Sequence, residues 1–228
     1  MLRIFIGFDK AEVAAYQVCS YSIIKNSSVP VSITPLNIRH FPWFTNNDYK
    51  ASTEFAFTRF LVPWLSGFAG WSLFMDGDML VRSDISKLFD MKDDKYAVQC
   101  VQHNYTPQPG NKFLGAEQTE YSRKNWSSVM LFNNEKCKNL SEVYVNSTPG
   151  LELHQFEWCK GTEIGSLPKS WNYLIDEECG PVDFSDPELV HFTRGGPYFE
   201  EFSCCPYSEE WFRYYNESCS VLDRRLVC

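Results

Sequence analysis

Two aspartates in the stretch WSLFMDGDMLV, residues 71–81, carry the clearest chemical signal in the sequence. Asp76 and Asp78 interrupt an apolar run typical of a buried strand, and Gly77 between them allows a sharp turn. Two carboxylates this close repel each other unless a cation lies between them. Oxygen ligands favour a hard divalent ion, so the pair predicts a Mg²⁺ or Mn²⁺ site that keeps positions open for phosphate oxygens. The alternative is a solvated turn with two surface acids.

His191 is the candidate third ligand of this ion. It ends a short apolar strand in PELVHFTRGGPY, residues 187–198, and Arg194, Gly195 and Gly196 follow it closely. A neutral imidazole is a common metal ligand. An arginine beside two glycines suits a turn that brings backbone close to phosphate. The alternative for a single histidine is a core residue with satisfied hydrogen bonds.

The elements that must position these residues alternate between strand and helix. Residues 2–8, 11–24 and 31–36 read as strand, helix and strand, a βαβ unit that predicts a parallel sheet. Further strands are predicted at 71–75, 95–102, 127–134, 163–168 and 188–193. Further helices are predicted at 52–67, 84–90, 140–147, 151–159 and 208–226. The predicted fold class is therefore α/β, with a mostly parallel central sheet flanked by helices in one domain, 1–228.

Composition excludes several classes of function. The 228 residues carry a net charge of −8 and contain no dense Lys/Arg tract, which argues against binding of duplex nucleic acid. No 18-residue apolar span occurs, and the N-terminal apolar run is too short for a signal peptide. The sequence therefore predicts a cytoplasmic protein without a transmembrane segment.

Five landmarks, in order, resemble GT-A glycosyltransferases, in particular the family 8 type of glycogenin and of bacterial lipopolysaccharide galactosyl- and glucosyltransferases. Small viral and bacterial glycosyltransferases are similar as well. The landmarks lie at residues 4–23, 52–63, 73–81 and 125–134, and in the pair 153–174 and 191–200. The resemblance implies the GT-A fold, a nucleotide-binding half at 1–102 and an acceptor-side half at 103–228. It also implies a UDP-sugar donor and a Mn²⁺ or Mg²⁺ cofactor.

The resemblance further implies roles for individual residues. Asp76, Asp78 and His191 match the metal ligands, with Asp78 bridging to both phosphates. The other implied donor-side residues are Phe8 and Asp9 at the nucleotide base, and Arg59, Gly77, Arg194 and Gly195 around the diphosphate. The implied sugar and acceptor residues are Asn125, Ser127, Ser128 and Gln155, the last beside the anomeric carbon. Two residues depart from the family pattern: His154 stands where Asp is usual, and Trp126 where a small residue is usual.

The predicted reaction moves a hexose from the UDP-sugar to a hydroxyl of a glycan, a lipid-linked sugar or a protein. The resemblance implies retention at the anomeric carbon. Arg59 and Gln155 are candidate catalytic residues; the alternatives are an arginine that only pairs with a carboxylate and a solvated helix residue. Asp176 is the preferred acid or base among the acidic residues near it. One alternative is a sugar-phosphate nucleotidyltransferase, which needs a glycine-rich basic loop where this chain has only Gly7 and Lys10. The other is a non-catalytic protein that binds sugars by aromatic stacking.

Overall fold

A computed structural model describes residues 1–46, 53–104, 122–175 and 186–220 of the chain. The strands are β1 (Leu2–Gly7), β2 (Val31–Leu36), β3 (Trp71–Met75), β4 (Met79–Val81), β5 (Val98–Val101), β6 (Val129–Asn133), β7 (Ile164–Leu167), β8 (Tyr173–Leu174) and β9 (Leu189–His191). The α-helices are α1 (Val13–Asn26), α2 (Val62–Leu65), α3 (Ser86–Phe89), α4 (Glu142–Ser147), α5 (Gly150–His154) and α6 (Ser208–Cys219).

The strands form a central sheet and a smaller one. In the described part of the chain, the central sheet has six strands in the order β2-β1-β3-β6-β5-β7. Strand β1 is parallel to both of its neighbours and β5 is parallel to β7, whereas β6 runs antiparallel to β3 and β5. The predicted mostly parallel α/β sheet is therefore confirmed. The small sheet has the order β4-β9-β8.

Alternation along the strands builds a core on each face of the central sheet. Phe5 packs on one face with Phe74 and Phe132, while Ile4 and Ile6 point to the opposite face. A third cluster joins α1, the small sheet and α6; its fully or nearly fully buried members are Val18, Leu80, Ile175, Val190, Phe192, Trp211 and Tyr214. Because α6 covers the small sheet, it supports the strand that ends at His191.

The helix predicted at 52–67 is wrong as one continuous element. The described residues form turns, then a 3₁₀ segment at Thr58–Leu61, and only then the short α2. Pro63 lies in the first turn of α2, where its missing N–H costs little, so it helps to begin that helix and does not end a longer one. Phe55, Phe57 and Phe60 are all buried by this irregular path. Burial of aromatic rings has thus overridden helical periodicity.

The helix predicted at 151–159 also ends early, since α5 stops at His154. Phe156 has a φ of 58°, a left-handed conformation that breaks the helix. Its ring is fully buried and stacks on Trp158 with 5.6 Å between the centroids. The chain therefore leaves helical geometry to bury an aromatic side chain. Across the described ranges, no helix combines the length and the apolar character needed to span a membrane.

Candidate metal centre

The Asp-Gly-Asp segment is the crossing point between the two sheets. Strand β3 of the central sheet ends at Met75, and β4 of the small sheet begins at Met79. Gly77 passes so close to β1 that a Cβ there would lie 2.5 Å from the carbonyl oxygen of Gly7. Only glycine fits such an approach. The turn therefore places both aspartates at the carboxyl edge of β1 and β3, where α/β sheets bind ligands.

Antiparallel pairing of β4 with β9 delivers His191 to the same place. The register sets Met79 opposite His191, and the N–H of Phe192 donates to the carbonyl oxygen of Asp78 at 3.0 Å. His191 Nε2 lies 3.3 Å from Asp78 Oδ1 and 3.8 Å from Asp76 Oδ2. One ligand atom from each of these three residues lies within 4.8 Å of the others. The three sequence-predicted ligands are thus brought together.

Arg59 lies behind the first aspartate. Its Nη1 is 2.9 Å from Asp76 Oδ1 and donates to the carbonyl oxygen of Ser127 at 2.9 Å. The guanidinium is buried, and its Cζ lies about equally far from the rings of Phe55 (5.2 Å) and Phe74 (5.0 Å). Such a planar, enclosed cation orients its partner carboxylate. In this geometry Arg59 holds Asp76.

The donor set fits a hard divalent cation. Asp78 Oδ1 is buried, and no described residue donates a hydrogen bond to it. A buried carboxylate oxygen without a donor is costly unless a cation compensates it. Two carboxylates and one imidazole are the ligand types that Mn²⁺ and Mg²⁺ accept. Asp76, Asp78 and His191 are the residues that would hold the ion.

A further carboxyl group, Glu12, faces this centre from the start of α1. It is 8% exposed, and the Tyr198 hydroxyl donates to its Oε1 at 2.7 Å. Burial, and then the charge of Asp78, raise the pKa of Glu12 to about 8, although the Tyr198 hydrogen bond acts in the opposite direction. Burial, with Glu12 and Asp78 nearby, also raises the pKa of Tyr198 well above its ordinary value. Glu12 is therefore held mostly in its neutral form near pH 7, beside the two aspartates of the centre.

The predicted sugar and acceptor segment, 125–128, adjoins the centre through main-chain contacts. The Asp76 N–H donates to the Ser128 carbonyl oxygen at 3.0 Å. Asn125 has a φ of 61°, so the segment begins with a left-handed residue. Ser127 Oγ lies 2.8 Å from His154 Nδ1. The histidine that departs from the family pattern is thus in contact with this predicted segment.

A buried amide, Asn172, lies on the far side of His191. Its Oδ1 is 2.9 Å from His191 Nδ1, and its Nδ2 donates to Ser128 Oγ at 2.8 Å. The imidazole therefore has the carboxylates on one side and a fixed polar partner on the other.

The remaining predicted donor-side residues occupy two turns. Phe8 packs edge-on against Tyr16, with 5.4 Å between ring centroids. Both oxygens of Asp9 accept backbone N–H groups, from Ala11 at 2.9 Å and from Glu54 at 3.0 Å. Asp9 therefore fixes the loop that crosses the end of β1, and its contact with a nucleotide base stays a prediction.

On the other side of the site, Arg194 and Gly195 lie in the turn that follows β9. Gly195 has a φ of 131°, and a Cβ there would approach the Phe202 ring to 2.6 Å. This turn therefore requires glycine for both its backbone conformation and its packing. Roles for these two residues at a diphosphate stay predictions.

Gln155 follows α5 directly. Its Nε2 donates to Ser122 Oγ at 3.0 Å, and its carbonyl oxygen accepts a hydrogen bond from Arg123. Its place beside a donor sugar stays a prediction. Asp176, the predicted acid or base, lies outside the described residues.

Sequence reasoning missed three polar residues around the centre: Glu12, Asn172 and Tyr198. Glu12 resembles an ordinary acidic residue at a helix start, and its burial arises only when the turn after β9 packs over it. Asn172 lies in SWNYL, where an amide between aromatic residues was the one available signal of a buried hydrogen-bonding role. Tyr198 ends the same stretch, 187–198, that contains His191 and Arg194, but a tyrosine there gives no signal of a contact with Glu12.

Solved structures similar to this chain are glycosyltransferases. The galactosyltransferase LgtC in complex with donor and acceptor sugar analogs aligns over 99% of both chains, with a TM-score of 0.61 and 12% identity. The bifunctional glycosyltransferase WbbM gives a TM-score of 0.63 at 13% identity over 93% of this chain, which spans about half (51%) of that protein. GlyE of Streptococcus pneumoniae gives 0.59 at 16% identity over 99% of this chain and 61% of its own. At these identities the likeness shows the fold, which is of the predicted GT-A type.

No family model matches the sequence. A curated plant protein, Protein CDI of Arabidopsis thaliana, is 46% identical over 220 residues, which cover 92% of this chain and 84% of the plant protein. A viral or bacterial form is a prediction that this plant relative does not support. The extent and identity of the match establish that the chain belongs to the same family as Protein CDI.

Proposed function

We propose that this chain is a metal-dependent glycosyltransferase that moves a hexose from a UDP-linked sugar to a hydroxyl acceptor. One observation carries the proposal. Two carboxylates and an imidazole converge at the carboxyl edge of a GT-A-type sheet, and one buried carboxylate oxygen has no donor among the described residues. The glycosyltransferases of similar fold give this arrangement its chemical context.

A bound divalent ion supplies neutralisation of the charge that grows on the departing diphosphate. In the proposal, Arg59 keeps Asp76 oriented, because its Nη1 contacts that carboxylate and the neighbouring main chain at the same time. Arg194 serves as a second cation for the diphosphate, from the turn that follows β9. Arg59 is only 6% exposed, so water screens its contact with Asp76 weakly.

Sugar transfer itself is assigned to the other side of the centre. Asn125, Ser127 and Ser128 line the sugar and acceptor, and Gln155 lies beside the anomeric carbon. The proposed outcome is retention, and the acceptor is a glycan, a lipid-linked sugar or a protein hydroxyl. The hydrogen bonds that fix 125–128 to Arg59 and Asp76 support a rigid sugar-binding wall.

The decisive test is calorimetric titration of UDP with and without Mn²⁺. We expect binding by the wild type only with Mn²⁺ and a loss of about 100-fold, or 2.7 kcal/mol, in Asp78→Asn. Asp90→Asn makes the same chemical change at an exposed position and should bind as the wild type does. Equal UDP affinity in wild type and Asp78→Asn would refute the metal centre.

A screen of nucleotide sugars for Mn²⁺-dependent hydrolysis then identifies the donor, because slow transfer to water needs no acceptor. Hydrolysis of one UDP-sugar, lost in Asp78→Asn, is the expected result. Tight binding without any turnover would instead favour a non-catalytic sugar-binding protein.

A further inference from the structure

The side of His191 that faces away from the carboxylates meets a closed hydrogen-bond network. Asn172 is fully buried, and His191 and Ser128 are each 3% exposed. We propose that Asn172 is a positioning residue that holds His191 in the tautomer with hydrogen on Nδ1, so that Nε2 offers its electron pair to the cation. This inference rests on the proposed cation site and assigns a role to a residue outside the ligand set.

The orientation of the Asn172 amide follows from its neighbours. One end of the amide lies 2.8 Å from Ser128 Oγ and 3.5 Å from the carbonyl oxygen of Asn125. A carbonyl oxygen can only accept, so the amide end that faces it must be the NH₂ group. The Ser128 hydroxyl donates its own hydrogen to the same Asn125 carbonyl at 2.7 Å. Ser128 Oγ therefore accepts from Asn172, which gives the same assignment independently.

The tautomer of His191 follows in turn. Because the NH₂ group of Asn172 faces Ser128, its Oδ1 faces His191 Nδ1, at 2.9 Å. Oδ1 has no hydrogen, so Nδ1 must carry one. A neutral His191 then has its only free electron pair on Nε2, which is 3.3 Å from Asp78 Oδ1. An electron pair facing carboxylate oxygens is repulsive until a cation lies between them, as expected of a site arranged for metal.

Burial makes this network hard to replace. Water cannot enter to satisfy a rotated amide, so turning Asn172 over would leave buried donors and acceptors unpaired. The network is also connected to the first ligand, since the Ser128 carbonyl accepts the N–H of Asp76 at 3.0 Å. Through Ser128, Asn172 thus connects the imidazole of His191 to the main chain of Asp76.

The test reads the tautomer directly, without activity. Nitrogen NMR of ¹⁵N-histidine-labelled apo protein, at about pH 8 where ordinary imidazoles are neutral, distinguishes protonated from bare ring nitrogens. Comparison with His191→Ala assigns the His191 signals. We expect Nδ1 protonated and Nε2 bare. A His191 whose Nδ1 carries no hydrogen overturns the proposal, because Nδ1 could then not donate to Asn172 Oδ1.

Mn²⁺ titration of the variants tests the consequence. Asn172→Ala should weaken Mn²⁺ binding about tenfold, the usual effect of removing a partner of a metal-bound histidine. In the His191→Ala background the same change should have no further effect; an equal tenfold loss there would make Asn172 a general structural residue and refute the positioning role. A wild type that binds no Mn²⁺ but has the expected tautomer would defeat the proposed function and leave the tautomer assignment standing.

Discussion

At the scale of single residues, the buried carboxyl of Glu12 links the charge of the site to stability. Burial is the main cause that raises the pKa of Glu12 to about 8, and the nearby Asp78 charge adds to it. In an unfolded chain the same group titrates near 4.5. Between these values the folded protein holds a proton that the unfolded chain has lost, so stability falls as pH rises through that window.

Glu12→Gln should remove this dependence. The amide oxygen can still accept from Tyr198, but the side chain carries no titrating proton. Without divalent cations, we expect the free energy of unfolding of the variant to rise relative to that of the wild type between about pH 5 and 8. The rise should be at most about 1.4 kcal/mol per pH unit. Urea unfolding across that range measures the difference. Parallel stability curves for the two proteins would contradict the buried-carboxyl account.

The same scale shows what a sequence can and cannot reveal about a site. Asp76, Asp78 and His191 were predictable because a strand end, a glycine turn and a second strand end all bring polar groups to one sheet edge. Pairing of Arg59 with a carboxylate was one alternative for that residue, but Asp76 as its partner was not predictable, because the contact depends on the irregular path of residues 53–61. Asn172 was missed because its one signal, an amide between two aromatic residues, does not reveal that its partners are His191 and Ser128.

At the scale of elements, each of the seven predicted strands is present, whereas β4 and β8 were not predicted and two helices were predicted poorly. Strands such as β3 and β6 are apolar on both faces, and every residue in β6 is buried, so composition alone indicates them. The segments at 52–67 and 151–159 have apolar spacing that fits a helix, but they are rich in aromatic residues. The backbone of these segments is determined by the packing of several large rings against a sheet. Helical periodicity in the sequence does not report that packing.

The element that carries His191 depends on Arg82 at the end of β4. Its guanidinium pairs with Glu210 of α6 at 2.8 Å and with Asp186 at 2.6 Å, and donates to the Pro187 carbonyl at 2.7 Å. These contacts join α6 to the residues just before β9. Arg82→Met should keep the packing of the aliphatic part of the side chain but lower the free energy of unfolding by about 1–3 kcal/mol, measured by urea denaturation.

Arg213 provides the matched control for Arg82, because it contacts the same Glu210 carboxylate at 3.3 Å. Its side chain is 60% exposed, against 18% for Arg82, so water screens the pair. Arg213→Met should change stability by less than about 0.5 kcal/mol. Similar losses of stability in the two variants would mean that pairing with Glu210 accounts for the loss. The additional contacts of Arg82 with Asp186 and Pro187 would then contribute little.

At the scale of the whole molecule, the candidate centre lies where two sheets meet. Asp76 follows a strand of the central sheet, whereas Asp78 and His191 belong to the small sheet or adjoin it. The chain passes between the sheets in the three residues of the Asp-Gly-Asp turn. An ion held there would therefore connect two packing units, so its binding should stabilise the entire fold and not a single loop.

Mn²⁺ should accordingly raise the melting temperature of the protein. Saturation at about 100 times Kd contributes about 2.7 kcal/mol. For a chain of this length each kcal/mol corresponds to roughly 2–4 °C, so we expect a rise of roughly 5–10 °C that a chelator reverses. Differential scanning calorimetry with and without Mn²⁺ measures it, and Asp78→Asn should show little shift. If Asp78→Asn gained as much as the wild type, the stabilising ion would bind elsewhere, and the junction of the two sheets would not be the metal centre.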